Sequence, residues 1–211
     1  MANRPTACIS WRKQPKQARS TELVAAILQA AVQVLAQDGA RGFTTARVAE
    51  KAGVSVGSLY QYFPNKAAIL FRLQADEWIQ TTDMLVAILG DRAKPPLKRL
   101  RAVVHAFIRS ECDEAAVRVA LNDAAPLYRE APEMRQAQEA GERLFANFLQ
   151  ELLPLASEAV REQAGNLLIT TMSAAGKQFS EAPRTFDEIE GYASAMTDMF
   201  CAYLRGLETG G

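Results

Sequence analysis

The sequence predicts an all-α fold of about nine helices. Three observations predict it. Apolar residues recur at helical spacing almost everywhere, no convincing alternating strand is present, and glycine, proline and capping residues punctuate the chain at helical lengths. With 211 residues the chain is long enough for a real core and for one or two domains.

Residues 1–19 carry Arg4, Arg12, Lys13, Lys16 and Arg19 with little to bury, and read as a mobile basic arm. Ser20 is expected to cap a first helix bearing Leu23, Ile27, Val34 and Leu35, stopped at Asp38-Gly39. Thr44 and Thr45 open a short second helix holding Val48 and Ala49, and Gly53 ends it in a tight turn. Ser55 caps a third through Phe63. Pro64 breaks it, and Asn65 caps a fourth that runs to about Leu89. Pro95-Pro96 begins a fifth, with Leu97, Leu100, Val103, Val104, Phe107 and Ile108. A shorter element follows near Ala115–Ala125. Pro132 starts a long helix that Pro154 closes, and Ser157 opens the next. Thr185 and Glu188 form a capping box before the last helix.

Composition narrows the function. The 24 basic and 24 acidic residues cancel, yet residues 1–72 hold 10 basic and 3 acidic side chains, and residues 73–211 hold 14 and 21. A basic head on an acidic body points to a polyanion partner for the head alone. The most apolar stretch, Leu23 to Ala36, reads as too short to span a bilayer, and the first residues lack the apolar core of an export signal. A cytoplasmic protein with no membrane association is the expectation. Cys8, Cys112 and Cys201 are scattered and His105 is the only histidine, so no metal site, disulfide framework or cofactor is expected. One histidine, no phosphate loop and no Gly-x-Ser-x-Gly leave an all-α enzyme little to work with. A purely structural helical protein leaves the basic head unexplained.

Residues 44–66 carry the chemistry. Two short helices flanking Gly53-Val54-Ser55 have the spacing of a helix-turn-helix, whose second helix enters the major groove. Ala49 lets the helices approach, and Val54 and Leu59 plug the space beneath them. Val56, Gly57, Ser58 and Gln61 then face outward. A glycine on an exposed helix costs roughly 1 kcal/mol against alanine, which makes sense where DNA must come close. Thr45, Tyr60, Tyr62 and Lys66 offer hydroxyls and an ammonium to phosphates, and the helix start after Asn65 can accept one too. The same pattern also serves as an ordinary helical corner, with Tyr60, Tyr62 and Phe63 as core aromatics.

The run from Phe43 to Lys66, FTTARVAEKAGVSVGSLYQYFPNK, resembles the DNA-binding signature of the TetR family of transcriptional regulators. The stretch from Ala30-Ala31 to Asp38-Gly39 is similar to that family's first helix and its exit. The resemblance covers about residues 20–70. Many members carry histidine where this chain has Tyr62. The resemblance implies an Ω-shaped homodimer with three domains in sequence: the arm at 1–19, a helix-turn-helix DNA-binding domain at 20–66, and a ligand-binding and dimerisation domain at 67–211. It implies a repressor that holds double-stranded, palindromic operator DNA and releases it to a small hydrophobic effector. An activator, or a regulator answering to a protein effector, stays open. The DNA-contact candidates are Thr44, Thr45, Arg47, Ser55, Val56, Gly57, Ser58, Tyr60, Gln61, Tyr62 and Lys66.

For the effector pocket, polar groups on or beside apolar helix faces are the candidates: Trp78, His105, Cys112, Asn122, Tyr128, Met172 and Gln178. Each also has a plain structural reading, His105 as a hydrogen-bonded boundary residue and Met172 as packing. Glu111 and Asp113 beside Cys112 discourage a reactive thiolate. The expected dimer surface is Val160, Ala164, Leu167, Leu168 and Thr171, with Met196, Met199, Phe200 and Tyr203 on the last helix. The alternative is a core within one chain.

Overall fold

A computed structural model describes residues 18–124 and 132–209. Among these residues there are nine helices and no strand. They are α1 (Ala18–Gly42), α2 (Thr45–Lys51), α3 (Val56–Tyr60), α4 (Lys66–Leu89), α5 (Pro96–Asp113), α6 (Ala115–Ala124), α7 (Pro132–Leu152), α8 (Glu158–Phe179) and α9 (Phe186–Thr209).

The helix ends follow from local hydrogen bonding. Thr44 Oγ1 accepts from the Arg47 amide, Ser55 Oγ from Ser58, Asn65 Oδ1 from Ala68 and Ser157 Oγ from Val160. Each satisfies an amide that the first turn leaves without a helical partner. Thr185 and Glu188 exchange bonds in both directions, with the Thr185 amide 2.8 Å from Glu188 Oε2 and the Glu188 amide 3.3 Å from Thr185 Oγ1. Gly39 and Gly53 take φ of 63° and 68°, a region that other residues enter at a cost. Two expectations fail at the ends. Ser20 lies inside α1, and α3 stops at Tyr60 rather than Phe63. The arm lies almost wholly outside the described residues.

The chain packs as two compact units. One takes the chain to Trp78 and again from Ala116 to Met134; the other takes Ile79–Ala115 and the chain from Arg135 onward. The boundary falls inside α4, and α6 belongs to the first unit.

In the first unit Val24, Ile27, Ala31, Val34 and Leu35 of α1 pack with Phe43, Val48, Leu59, Phe63 and Ile69. Ala120 and Leu121 of α6 complete that core. By length and composition α1 is long and apolar enough to cross a membrane, longer than the Leu23–Ala36 stretch indicated, but its apolar stripe is this core.

In the second unit α5 is central, packed on α8 and α9. Val103, Val104, Ile108, Phe148, Leu149, Leu168, Met196 and Phe200 fill the core. The buried Arg99 donates to the Leu89 carbonyl at the end of α4 and pairs with Glu151 of α7, its guanidinium 5.5 Å from the Phe148 ring centre. That arrangement ties three elements at one point.

Candidate DNA-binding site

The site is built on α2, α3 and the start of α4. Buried Val48, Ala49 and Leu59 seat α2 against α3, and the Val54 amide donates to the Ala49 carbonyl across the turn. With those residues turned inward, Thr44, Arg47, Ser55, Val56, Gly57, Tyr60, Gln61 and Lys66 are exposed, and Thr45 and Ser58 half-buried.

Their hydrogen bonds sort them further. Thr45 Oγ1 and the Tyr60 hydroxyl share a bond of 3.1 Å, so α2 and α3 present a hydroxyl pair at one surface point. Thr44 and Ser55 act as caps, and Ser55 Oγ also lies 2.8 Å from Ser58 Oγ. Arg47 is partly spent within the fold. Its Nη1 pairs with Asp38 at 2.9 Å and reaches the Gly42 carbonyl at 3.2 Å, which fastens α2 to the end of α1.

Gly57 is informative. A Cβ built there would meet only Ser55 Oγ, at 3.8 Å, an ordinary contact. Nothing within the described chain requires a glycine at this exposed helical position.

Tyr62 departs from expectation. Its side chain is 5 % exposed and belongs to the first unit's core. The turn after Tyr60 swings it inward beside Phe63, so it supports the site from beneath instead of lying open to a phosphate.

The expected pocket residues fall in different places among the described residues. Tyr128 lies outside the described residues, and of Asn122 only the backbone in α6 is described. Trp78 packs against the first unit's core. In the second unit Met172 is core and Gln178 is exposed. His105 Nδ1 donates to Glu190 Oε2 at 3.0 Å, with Ser194 Oγ 3.5 Å from Nε2, so it serves the α5–α9 seam. Burial, with Asp113 and Glu111 behind it, pushes the Cys112 thiol up, as its neighbours foretold, although Arg184 opposes this.

Among the described residues a cavity of about 560 Å³ lies between α7 and α8, and it is lined by none of those seven residues. Its carboxylates, Glu158 and Glu162, look like solvated charges in the sequence. Their four-residue separation, which places both on one side of α8, is the one sequence signal that could have paired them.

The expected dimer face divides in two. Ala164, Leu168, Met196 and Phe200 are buried within the single chain, a correction to the sequence reading. Leu167 and Met199 are 48 % and 52 % exposed, and Val160, Thr171 and Tyr203 half-buried. Both helices are apolar on more than one side, so periodicity could not separate the inward stripe from the outward one.

Comparison with known proteins decides the family. A model described as "Tetracyclin repressor-like, C-terminal domain" matches residues 95–207, and one described as "Bacterial regulatory proteins, tetR family" matches residues 27–73. The chain belongs to the TetR family. It is a DNA-binding transcriptional regulator and not an enzyme. Among curated relatives, the HTH-type transcriptional regulator BetI of Stenotrophomonas maltophilia is 30 % identical over 61 % of this chain and 67 % of its own. The nucleoid occlusion factor SlmA of Vibrio campbellii is 40 % identical over 39 % of this chain, a match spanning only 42 % of that protein. The Bacillus subtilis regulator FadR, solved in complex with stearoyl-CoA, shares the fold with a TM-score of 0.68 at 15 % identity, covering 84 % of this chain and 97 % of its own.

Proposed function

We propose that this TetR-family chain is a homodimeric repressor in the cytoplasm that reads a palindromic operator and is released by a small apolar effector. Gly57 carries the reading. An exposed glycine that the fold itself does not need sits between Val56 and Gln61, beside the Thr45–Tyr60 hydroxyl pair. Val56, Gly57, Ser58 and Gln61 lie nearest base edges. Thr45, Tyr60 and Lys66 hold phosphates, while Thr44, Ser55 and Arg47 set the pitch of the two helices. Residues 20–66 form the reading head, the arm at 1–19 supplies arginines to the minor groove, and 67–211 receives the effector and the partner copy.

A twofold dimer places two such heads on half-sites roughly 34–36 Å apart, or a multiple of that distance. An effector that favours a different head separation releases the DNA through its differential affinity for the two states. A coupling of about 1–3 kcal/mol changes operator affinity roughly 5- to 150-fold. The stearoyl-CoA complex of the B. subtilis relative is a precedent for an effector with a long apolar part.

The test is a genome-wide recovery of DNA fragments with purified protein at fixed moderate salt, beside a Tyr60→Phe, Lys66→Ala control. Tyr62 is avoided because changing a core ring would confound folding with contact. One palindromic site that the control loses supports the reading. Recovery by both proteins of only sequence-independent, salt-sensitive fragments overturns it.

A further inference from the structure

Given the operator-binding function proposed above, we infer that Val56 sets sequence specificity by reading the 5-methyl group of a thymine in the major groove. Val54 packs against the core of the first unit, whereas Val56, two residues on, is 40 % exposed. An apolar, β-branched side chain is thus left in water on the outward side of α3. Gly57 beside it carries no side chain, and a Cβ built there would have only Ser55 Oγ within 4 Å, at 3.8 Å. The hydroxyls of this segment bond first to one another. Ser55 Oγ lies 2.8 Å from Ser58 Oγ and accepts from the Ser58 amide, and Thr45 Oγ1 lies 3.1 Å from the Tyr60 hydroxyl.

The chemistry of the segment selects the base. Ser55 to Gln61 reads SVGSLYQ, without a charged residue. Guanine is most often read at O6 and N7 by the donors of Arg or Lys, and cytosine N4 donates to a carboxylate. Neither kind of partner occurs in SVGSLYQ. Adenine suits the carboxamide of the exposed Gln61, and thymine alone presents an apolar group, its C5 methyl. Packing that methyl on Val56 withdraws both apolar surfaces from water and breaks no hydrogen bond. Against any other base edge Val56 would strip water from a donor or acceptor and return no bond.

The experiment uses the full chain and a duplex DNA library with a randomised segment long enough for both half-sites. Selected sites are remade with uracil in place of each thymine in turn, which deletes the methyl and keeps every hydrogen-bonding group of the base. At one thymine in each half-site the replacement should weaken binding roughly three- to fivefold, the effect of one buried methyl-sized group. In Val56→Ser, which starts from an exposed side chain and should keep the fold by circular dichroism, thymine and uracil at that position should bind alike. Any effect of uracil on duplex shape is common to both proteins, so the difference between them isolates the contact. A selected site that no uracil weakens overturns the inference and leaves operator binding standing. A uracil penalty of the same size in Val56→Ser overturns it too, because another residue then holds the methyl. Loss of all specific binding by Val56→Ser also overturns it, since that exceeds what one methyl contact supplies. If the wild type selects no common sequence, the operator reading itself fails, and the thymine contact with it.

Discussion

Glu77 on α4 and Arg118 on α6 form an ion pair at 2.7 Å with each side chain only 15 % exposed. The pair fastens α6 to α4 within the first unit, and Val117, Ala120 and Leu121 add apolar contacts from the same helix. Removing one charge leaves the other in a partly desolvated site. A fully buried pair broken this way costs about 3–5 kcal/mol, and the residual exposure here lowers the expectation to about 1–3 kcal/mol for Glu77→Gln. The double change Glu77→Leu/Arg118→Met should recover most of that loss, because neither charge then lacks its partner. Urea unfolding of the three variants checks this. A double variant as unstable as the single would mean the pair contributes through packing alone.

Glu190 gives a pH dependence with a definite sign. Hydrogen bonds from Arg109 first and His105 second hold its carboxyl below the ordinary glutamate range, against a smaller opposing effect of burial. A folded pKa below the unfolded one makes the stabilisation fully present above the unfolded value of about 4.3 and lost as pH falls through the lowered folded value. The wild type should therefore exceed Glu190→Gln in stability at pH 6, and the gap should close on acidification below about pH 4. Denaturant midpoints for both proteins at several pH values measure that gap. A gap that widens in acid would contradict the assignment.

Much of this fold was legible because helix ends are local events. Thr44, Ser55, Asn65, Ser157 and the Thr185–Glu188 pair bond amides within three residues, so the signal lies inside a short window. The outward row of α3 was legible for a related reason, since Val54 and Leu59 fix which side of a short helix is buried. What escaped depends on distant partners. The inward swing of Tyr62, the bond from His105 to Glu190 across 85 positions, and the choice between Leu167 and Leu168 as the outward residue are set by packing that no local pattern encodes. The α7–α8 cleft escaped for the same reason.

Gly176 illustrates packing that dictates a residue. A Cβ there would stand 3.0 Å from Phe107 Cε1, 3.2 Å from Glu111 Cγ and 3.3 Å from Ile108 Cδ1, so α8 lies very close to α5. Gly176→Ala gains roughly 1 kcal/mol of helix propensity and loses about 1–3 kcal/mol to overpacking. The expected net effect is destabilisation of up to about 2 kcal/mol. In a Phe107→Leu background the crowding is relieved, and the same change should become neutral or stabilising. A double-mutant cycle by thermal unfolding reads that coupling, and additivity would show that Phe107 is not the obstacle.

Met199 tests the proposed homodimer and its face. It lies on an outward stripe of α9 with Gly191, Ala195, Ala202 and Gly206, all exposed, and small side chains there allow a second helix to approach closely. Met199→Glu places two related carboxylates against each other across a twofold axis. It should weaken self-association by at least about a hundredfold, roughly 2.7 kcal/mol, while helicity stays unchanged. Operator affinity should fall with it, because two linked heads bind far more tightly than two separate ones. Phe200→Ala next along the chain should behave differently. That ring is buried within one chain, so the change should cost about 3–5 kcal/mol of folding stability even under monomeric conditions. Sedimentation equilibrium with unfolding curves separates the two effects, and a Met199→Glu protein that stays dimeric would place the partner on another face.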